Sequence, residues 1–149
     1  MKTIGNNAFA YSSITSIEIP NGVTAIESRA FDNCRGLKEV VIPDSVKTIG
    51  DYAFDSCYYV KSLIIGEGVT KIGKYAFSNC RLLEDITIGG NVTFIGEYAF
   101  ASCGDDTVIT YKGKVDEWNA IEKEYHWDEW IIEYTVICDD GQLHKSYYN

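Results

Sequence analysis

The sequence predicts an α/β repeat: a right-handed solenoid of short parallel strands and helical turns, closed by a small α+β C-terminal cap. Three observations predict it. The chain repeats itself every 23 residues, each column of the repeat holds one kind of side chain, and the pattern lapses after Tyr111. The segment Ile49-Gly50-Asp51-Tyr52-Ala53-Phe54-Asp55-Ser56-Cys57 returns as Ile72-Gly73-Lys74-Tyr75-Ala76-Phe77-Ser78-Asn79-Cys80 and as Ile95-Gly96-Glu97-Tyr98-Ala99-Phe100-Ala101-Ser102-Cys103. Looser copies run from Ile26 to Cys34 and from Ile4 to Phe9. From Phe31 through Phe54 and Phe77 to Phe100 each step is 23 residues, while Phe9 to Phe31 is 22. Further columns are Val23, Val46, Val69 and Val92, then Ile19, Ile42, Ile65 and Ile88, then Ile17, Val40, Leu63 and Ile86.

One such unit is a coil that cannot bury its own apolar positions; stacking coils puts Ile over Ile and Phe over Phe in one dry core. A period of roughly 20–29 residues belongs to leucine-rich solenoids. Each unit opens on a strand: Leu37 to Pro43 alternates, with Leu37, Val40 and Ile42 inward. A turn follows at Pro20-Asn21-Gly22, Pro43-Asp44-Ser45, Gly66-Glu67-Gly68 and Gly89-Gly90-Asn91, where Gly and Asn suggest positive φ. A second extended piece such as Val46 to Ile49 leads to the closing stretch Asp51 to Cys57, short enough for a single helical or 3₁₀ turn. About four and a half coils are legible this way, with Met1 at the place of the valine column.

Residues 1–111 are therefore the solenoid and residues 112–149 a capping segment of the same domain. In the latter a short helix begins near Val115 with Asp116 as its cap, Trp118, Trp127, Trp130 and Tyr134 supply apolar area, and Tyr134 to Cys138 reads as a last strand. A solenoid end exposes core and unpaired backbone, so a distinct terminal structure is required there.

The recurring Ile-Pro-x-x-Val-x-x-Ile-Gly-x-x-Ala-Phe-x-x-Cys pattern, complete from Ile42 to Cys57, resembles the BspA-like leucine-rich repeats of bacterial and protist surface proteins. The resemblance covers residues 4–111, with Glu27 in place of the glycine and Gly66 and Gly89 in place of the proline. It implies adhesion or protein binding at an extracellular or cell surface, and it carries no catalytic residues to transfer. Met1 to Gly5 holds no apolar signal segment, and the start inside a coil leaves the first layer uncapped, so the chain is expected to be a fragment of a longer surface protein.

Composition narrows the function further. Thirteen basic against 22 acidic residues give a formal charge of −9, which argues against nucleic acid as a partner. Residues 1–103 hold 9 basic and 11 acidic side chains, and residues 104–149 hold 4 and 11, so the cap is the acidic end. No apolar run approaches the roughly 18 residues of a membrane span. No nucleophile elbow, Walker loop or His-Glu-x-x-His helix occurs, so neither an enzyme nor a bound cofactor is expected. The column Cys34, Cys57, Cys80 and Cys103 is read as packed free thiols. Ladder side chains point in parallel whereas a disulfide needs its Cβ atoms facing, and no Cys-x-x-Cys spacing or neighbouring histidine suggests a metal. His126 among Glu122, Glu124, Asp128 and Glu129 reads as a solvated acidic face, a metal site there being the minor alternative. Tyr52, Tyr75 and Tyr98 read as a stack along the solenoid or, secondarily, as contact rings.

Outward strand positions are under no packing constraint and form two columns. One is Ser16, Glu39, Ser62, Asp85 and Val108; the other is Glu18, Val41, Ile64, Thr87 and Thr110. Glu18, Glu39, Val41, Ile64, Asp85 and Thr87 are the candidate binding residues, for a protein ligand on a host or neighbouring cell. The alternative is a passive structural spacer within a larger surface protein.

Overall fold

The computed structural model describes residues 2–147, so the valine-column reading of Met1 lies outside the described residues. The chain is a repeat β-solenoid of about six turns, rather than four and a half. Two sheets run along it. The first joins β1 (Lys2–Ile4), β2 (Val23–Ile26), β4 (Thr48–Ile49), β6 (Lys71–Ile72), β8 (Phe94–Ile95) and β10 (Glu122–Lys123). The second joins β3 (Glu39–Ile42), β5 (Ser62–Ile65), β7 (Asp85–Ile88), β9 (Thr107–Tyr111) and β11 (Glu133–Cys138) in parallel, and β12 (Gly141–Ser146) pairs antiparallel with β11. Register is direct: Val40 lies on Leu63 and Leu63 on Ile86, so every inward residue meets its own kind.

The closing stretch of each coil is not helical, which corrects the expected helical turns. Its residues form successive β-turns containing left-handed residues, such as Tyr52 and Ser56, both at φ 58°. Amides then alternate. Those of Ala53 and Asp55 bond within the turn, to Gly50 and Tyr52, while those of Tyr52, Phe54 and Ser56 donate to Lys74, Ala76 and Ser78 of the next coil at 2.7–2.8 Å. A helical turn would spend its amides on its own chain and leave this third side unpaired. Left-handed φ costs a non-glycine residue about 1–2 kcal/mol, and the axial bonds offset it.

The expectation of positive φ at the turn glycines holds at Gly22 alone, at φ 104°. The others answer a different need. A Cβ on Gly68 would sit 1.8 Å from the Asp44 carbonyl oxygen, and one on Gly89 would sit 2.6 Å from that of Gly66. These glycines let one coil's backbone lie against the next.

The inner faces meet in one continuous core. Phe9, Phe31, Phe54, Phe77 and Phe100 stack with successive centroids 4.8–5.4 Å apart and planes within 13° of parallel. Phe31 through Phe100 are essentially without solvent exposure, each worth about 1.5–3 kcal/mol of burial. Beside them the thiols of Cys34, Cys57, Cys80 and Cys103 donate to the carbonyls of Phe9, Phe31, Phe54 and Phe77, one coil back, at 3.0–3.5 Å. The cysteines are free and buried; besides packing as small apolar groups, they lace neighbouring coils together.

Residues 112–147 carry one further coil. The helix α1 (Val115–Ala120), the single helix among the described residues, interrupts it. Asp116 lies inside the first turn of α1 instead of capping it: Glu117 accepts from the Lys114 amide at 2.7 Å and Asp140 from that of Val115 at 2.8 Å. After β10 the coil resumes, and the Phe100 and Ser102 amides donate to Trp127 and Glu129. Trp127 thus stands where earlier coils have alanine, and Asp128 where they have phenylalanine. Trp127 meets Phe100, Trp118 and Tyr134 edge-on, at 5.8–6.2 Å. The buried Asp128 accepts from the Tyr134 hydroxyl at 2.7 Å and pairs with Lys145.

Candidate functional site

The strand sheet brings five of the six candidate residues onto one outward face. Val41, Ile64 and Thr87 occupy equivalent register positions on β3, β5 and β7, and Glu39, Ser62 and Asp85 form the parallel row. Period-2 alternation turns these side chains out because Val40, Ile42, Leu63 and Ile65 turn in. Val41 and Ile64 are 50% and 45% exposed, an apolar pair open to solvent with the carboxylates of Glu39 and Asp85 in the adjoining row.

Glu18 lies elsewhere in kind. Its segment joins no strand, so β3 is the edge of its sheet. Between that segment and β3 opens a cleft of about 320 Å³ lined by Ile17, Glu18, Ile19, Asn21, Val41 and Pro43. Glu18 therefore borders Val41 across a cleft rather than extending its ladder.

The outward row also runs further than the sequence columns suggested, past Thr87. Through Thr110 it reaches Ile137 on β11, 42% exposed. The alternation of Tyr134, Val136 and Cys138 inward was the available signal, hidden because the insertion of α1 breaks the 23-residue count.

Other constellations resolve as packing. Tyr52, Tyr75 and Tyr98 stack at 4.8 and 4.9 Å, with the Arg29 guanidinium over Tyr52 and the His126 ring on Tyr98. The acidic groups around His126 diverge: Glu129 pairs with His126, Glu124 accepts from the Glu97 amide, and Asp128 is held by Tyr134 and Lys145. Among the described residues no group of three His, Cys, Asp or Glu side chains converges as a metal site. Burial pushes the thiols of Cys57, Cys80 and Cys103 well above their ordinary value of 9.0, so none is a nucleophile at neutral pH. Among the described residues no helix is long and apolar enough to cross a membrane.

Comparison with known proteins agrees with this geometry. The family profile of the BspA type leucine rich repeat region matches residues 2–121, in 6 copies. A crystal structure of a leucine-rich repeat protein from Bacteroides ovatus is similar over 60% of this chain, with 32% identity and a TM-score of 0.54. A leucine rich cell surface protein from Faecalibacterium prausnitzii is similar over 76% of it, with 29% identity and a TM-score of 0.63. The alignments span 24% and 36% of those two longer chains. No curated protein matches, and no catalytic family is indicated.

Proposed function

Because the chain belongs to the BspA-type leucine-rich repeat family, we propose that it is a non-enzymatic interaction module of a secreted or cell-surface protein, holding a protein ligand on its strand face. Glu39, Val41, Ile64, Asp85 and Thr87 form the contact surface, and Glu18 borders it across the first cleft. Residues 112–149 cap the solenoid formed by residues 1–111. The observation that carries the reading is the in-register, solvent-open pair Val41 and Ile64, since exposed apolar neighbours mark binding patches. Leucine-rich-repeat proteins commonly bind proteins, and one structural neighbour is a cell-surface protein, which supports the class and the location.

Screening the chain against an array of purified matrix and cell-surface proteins supplies a partner. The double variant Val41→Lys with Ile64→Lys is expected to lose that partner while keeping its melting temperature, because both side chains face solvent. Equal capture by the variant would assign binding to another surface. The short share of the longer neighbours that this chain spans favours one alternative, a structural spacer, and an array that stays silent supports it.

A further inference from the structure

The left-handed position that ends each coil's turn face is filled by Asn33, Ser56, Asn79 and Ser102, at φ between 54° and 59°. Small polar side chains suit that conformation. In the last coil the same position is Trp130, at φ 62° and 63% exposed; the first coil has Tyr11 there. A tryptophan so placed bears backbone strain and leaves much of its ring in water, which core packing does not explain. Its ring is held nearly parallel to Tyr98, at 5.8 Å and 19°.

Trp130 also walls a cavity of about 420 Å³ with Glu129, Ile131, Ile132 and Tyr147. Tyr147 is 54% exposed, and its hydroxyl reaches the Glu129 carboxylate at 3.5 Å. The amides of Asp128 and Trp130 correspond to those of Phe100 and Ser102, which donate to the following coil; among the described residues they have no acceptor. The surrounding segment is the acidic one, with 11 acidic and 4 basic side chains in residues 104–149, and nearby Lys145 is already engaged by Asp128.

We propose that this cavity is a second binding site, separate from the strand face, which takes an arginine side chain from an extended basic segment of a protein partner. The guanidinium lies on the Trp130 ring and shares the Glu129 carboxylate with His126 and the Tyr147 hydroxyl, the aliphatic stem fills the apolar wall of Ile132 and Tyr147, and the partner's carbonyls accept from the free amides. A flat, weakly hydrated cation suits an aromatic face beside a carboxylate. The molecule uses the same contact elsewhere: Arg35 and Arg81 lie 4.7 and 5.2 Å from the ring centre of Tyr58.

The test uses the 149-residue chain and a dye-labelled nonapeptide of alternating alanine and arginine, with a citrulline version as the uncharged control. Fluorescence anisotropy should show the arginine peptide binding about tenfold or more tightly than the citrulline one, and weakening with added salt. Trp130→Asn, which restores the residue type of the column, should weaken binding about tenfold and leave the melting temperature equal or higher. Glu129→Gln should weaken it severalfold, and the Val41→Lys, Ile64→Lys double variant should bind as the parent does. Undiminished binding by Trp130→Asn, or equal binding of the citrulline peptide, overturns the proposal. A marked fall in the melting temperature of Trp130→Asn also overturns it, by showing that the ring is a structural plug.

Discussion

In the four inner coils an alanine precedes a phenylalanine and rings lie face to face; in the last coil Trp127 and Asp128 take those two places and the Trp127 ring meets its neighbours edge to face, while His126 and Trp130 still stack on Tyr98. The inner pairs Phe31–Phe54, Phe54–Phe77 and Phe77–Phe100 are within 13° of parallel, whereas Trp127 meets its three aromatic neighbours at 69–87°. Like over like builds a surface that the next coil can repeat. Unlike side chains change that layer: Trp127 stands on edge against Phe100, and the Asp128 carboxylate is held by Tyr134 and Lys145. The two regions thus show how one backbone course carries two kinds of packing, depending on two side chains.

Truncation should separate the regions most sharply. Phe77→Ala opens a cavity in the middle of the stack and should cost about 3–5 kcal/mol in urea denaturation. Asp128→Ala at the end should cost less, about 1–3 kcal/mol, by orphaning the Tyr134 hydroxyl and the partly exposed Lys145. A loss at Asp128 matching that at Phe77 would mean that the end, not the stack, sets the stability.

Alkaline pH should then weaken the inner coils through their thiols, and at higher pH the last coil through the buried Tyr134 hydroxyl, which burial also pushes up. Burial raises the pKa of Cys57, Cys80 and Cys103 in the folded chain. Above their ordinary value of 9.0 the unfolded chain releases these protons while the folded one keeps them. Stability is therefore undiminished below pH 9 and falls as pH climbs beyond it, by up to about 1.4 kcal/mol per pH unit for each thiol. Cys80→Ala should flatten the slope by one thiol's share. The smallest effect is expected from Ser56→Gly, which relieves a left-handed residue at φ 58° and should gain at most about 1 kcal/mol; a loss would mean that the serine side chain matters more than its backbone.

How much of this was readable differs by region. The columns Ile19 to Ile88 and Phe9 to Phe100 disclose the stack, because buried positions admit few side-chain types and the chain states its choice several times over. The strand face follows from alternation, so the outward direction of Val41 and Ile64 was legible. Which outward residues meet a partner is not encoded in periodicity, since solvent imposes no shape. The turn face misled because a short run such as Tyr52-Ala53-Phe54 reads as a helical turn, and nothing in a tyrosine announces φ 58°. The last coil was hidden for two reasons: α1 interrupts the count, and Trp127, Asp128 and Trp130 share no type with the columns they continue.

Amide hydrogen exchange measured residue by residue by NMR tests most directly whether axial bonds bind the coils and lapse at the end. The amides of Phe54 and Phe77, which donate to Ala76 and Ala99 of the next coil, should exchange at least about a thousandfold more slowly than those of Asp128 and Trp130. Equal protection at the two places, or rapid exchange at Phe54 and Phe77, would contradict the account.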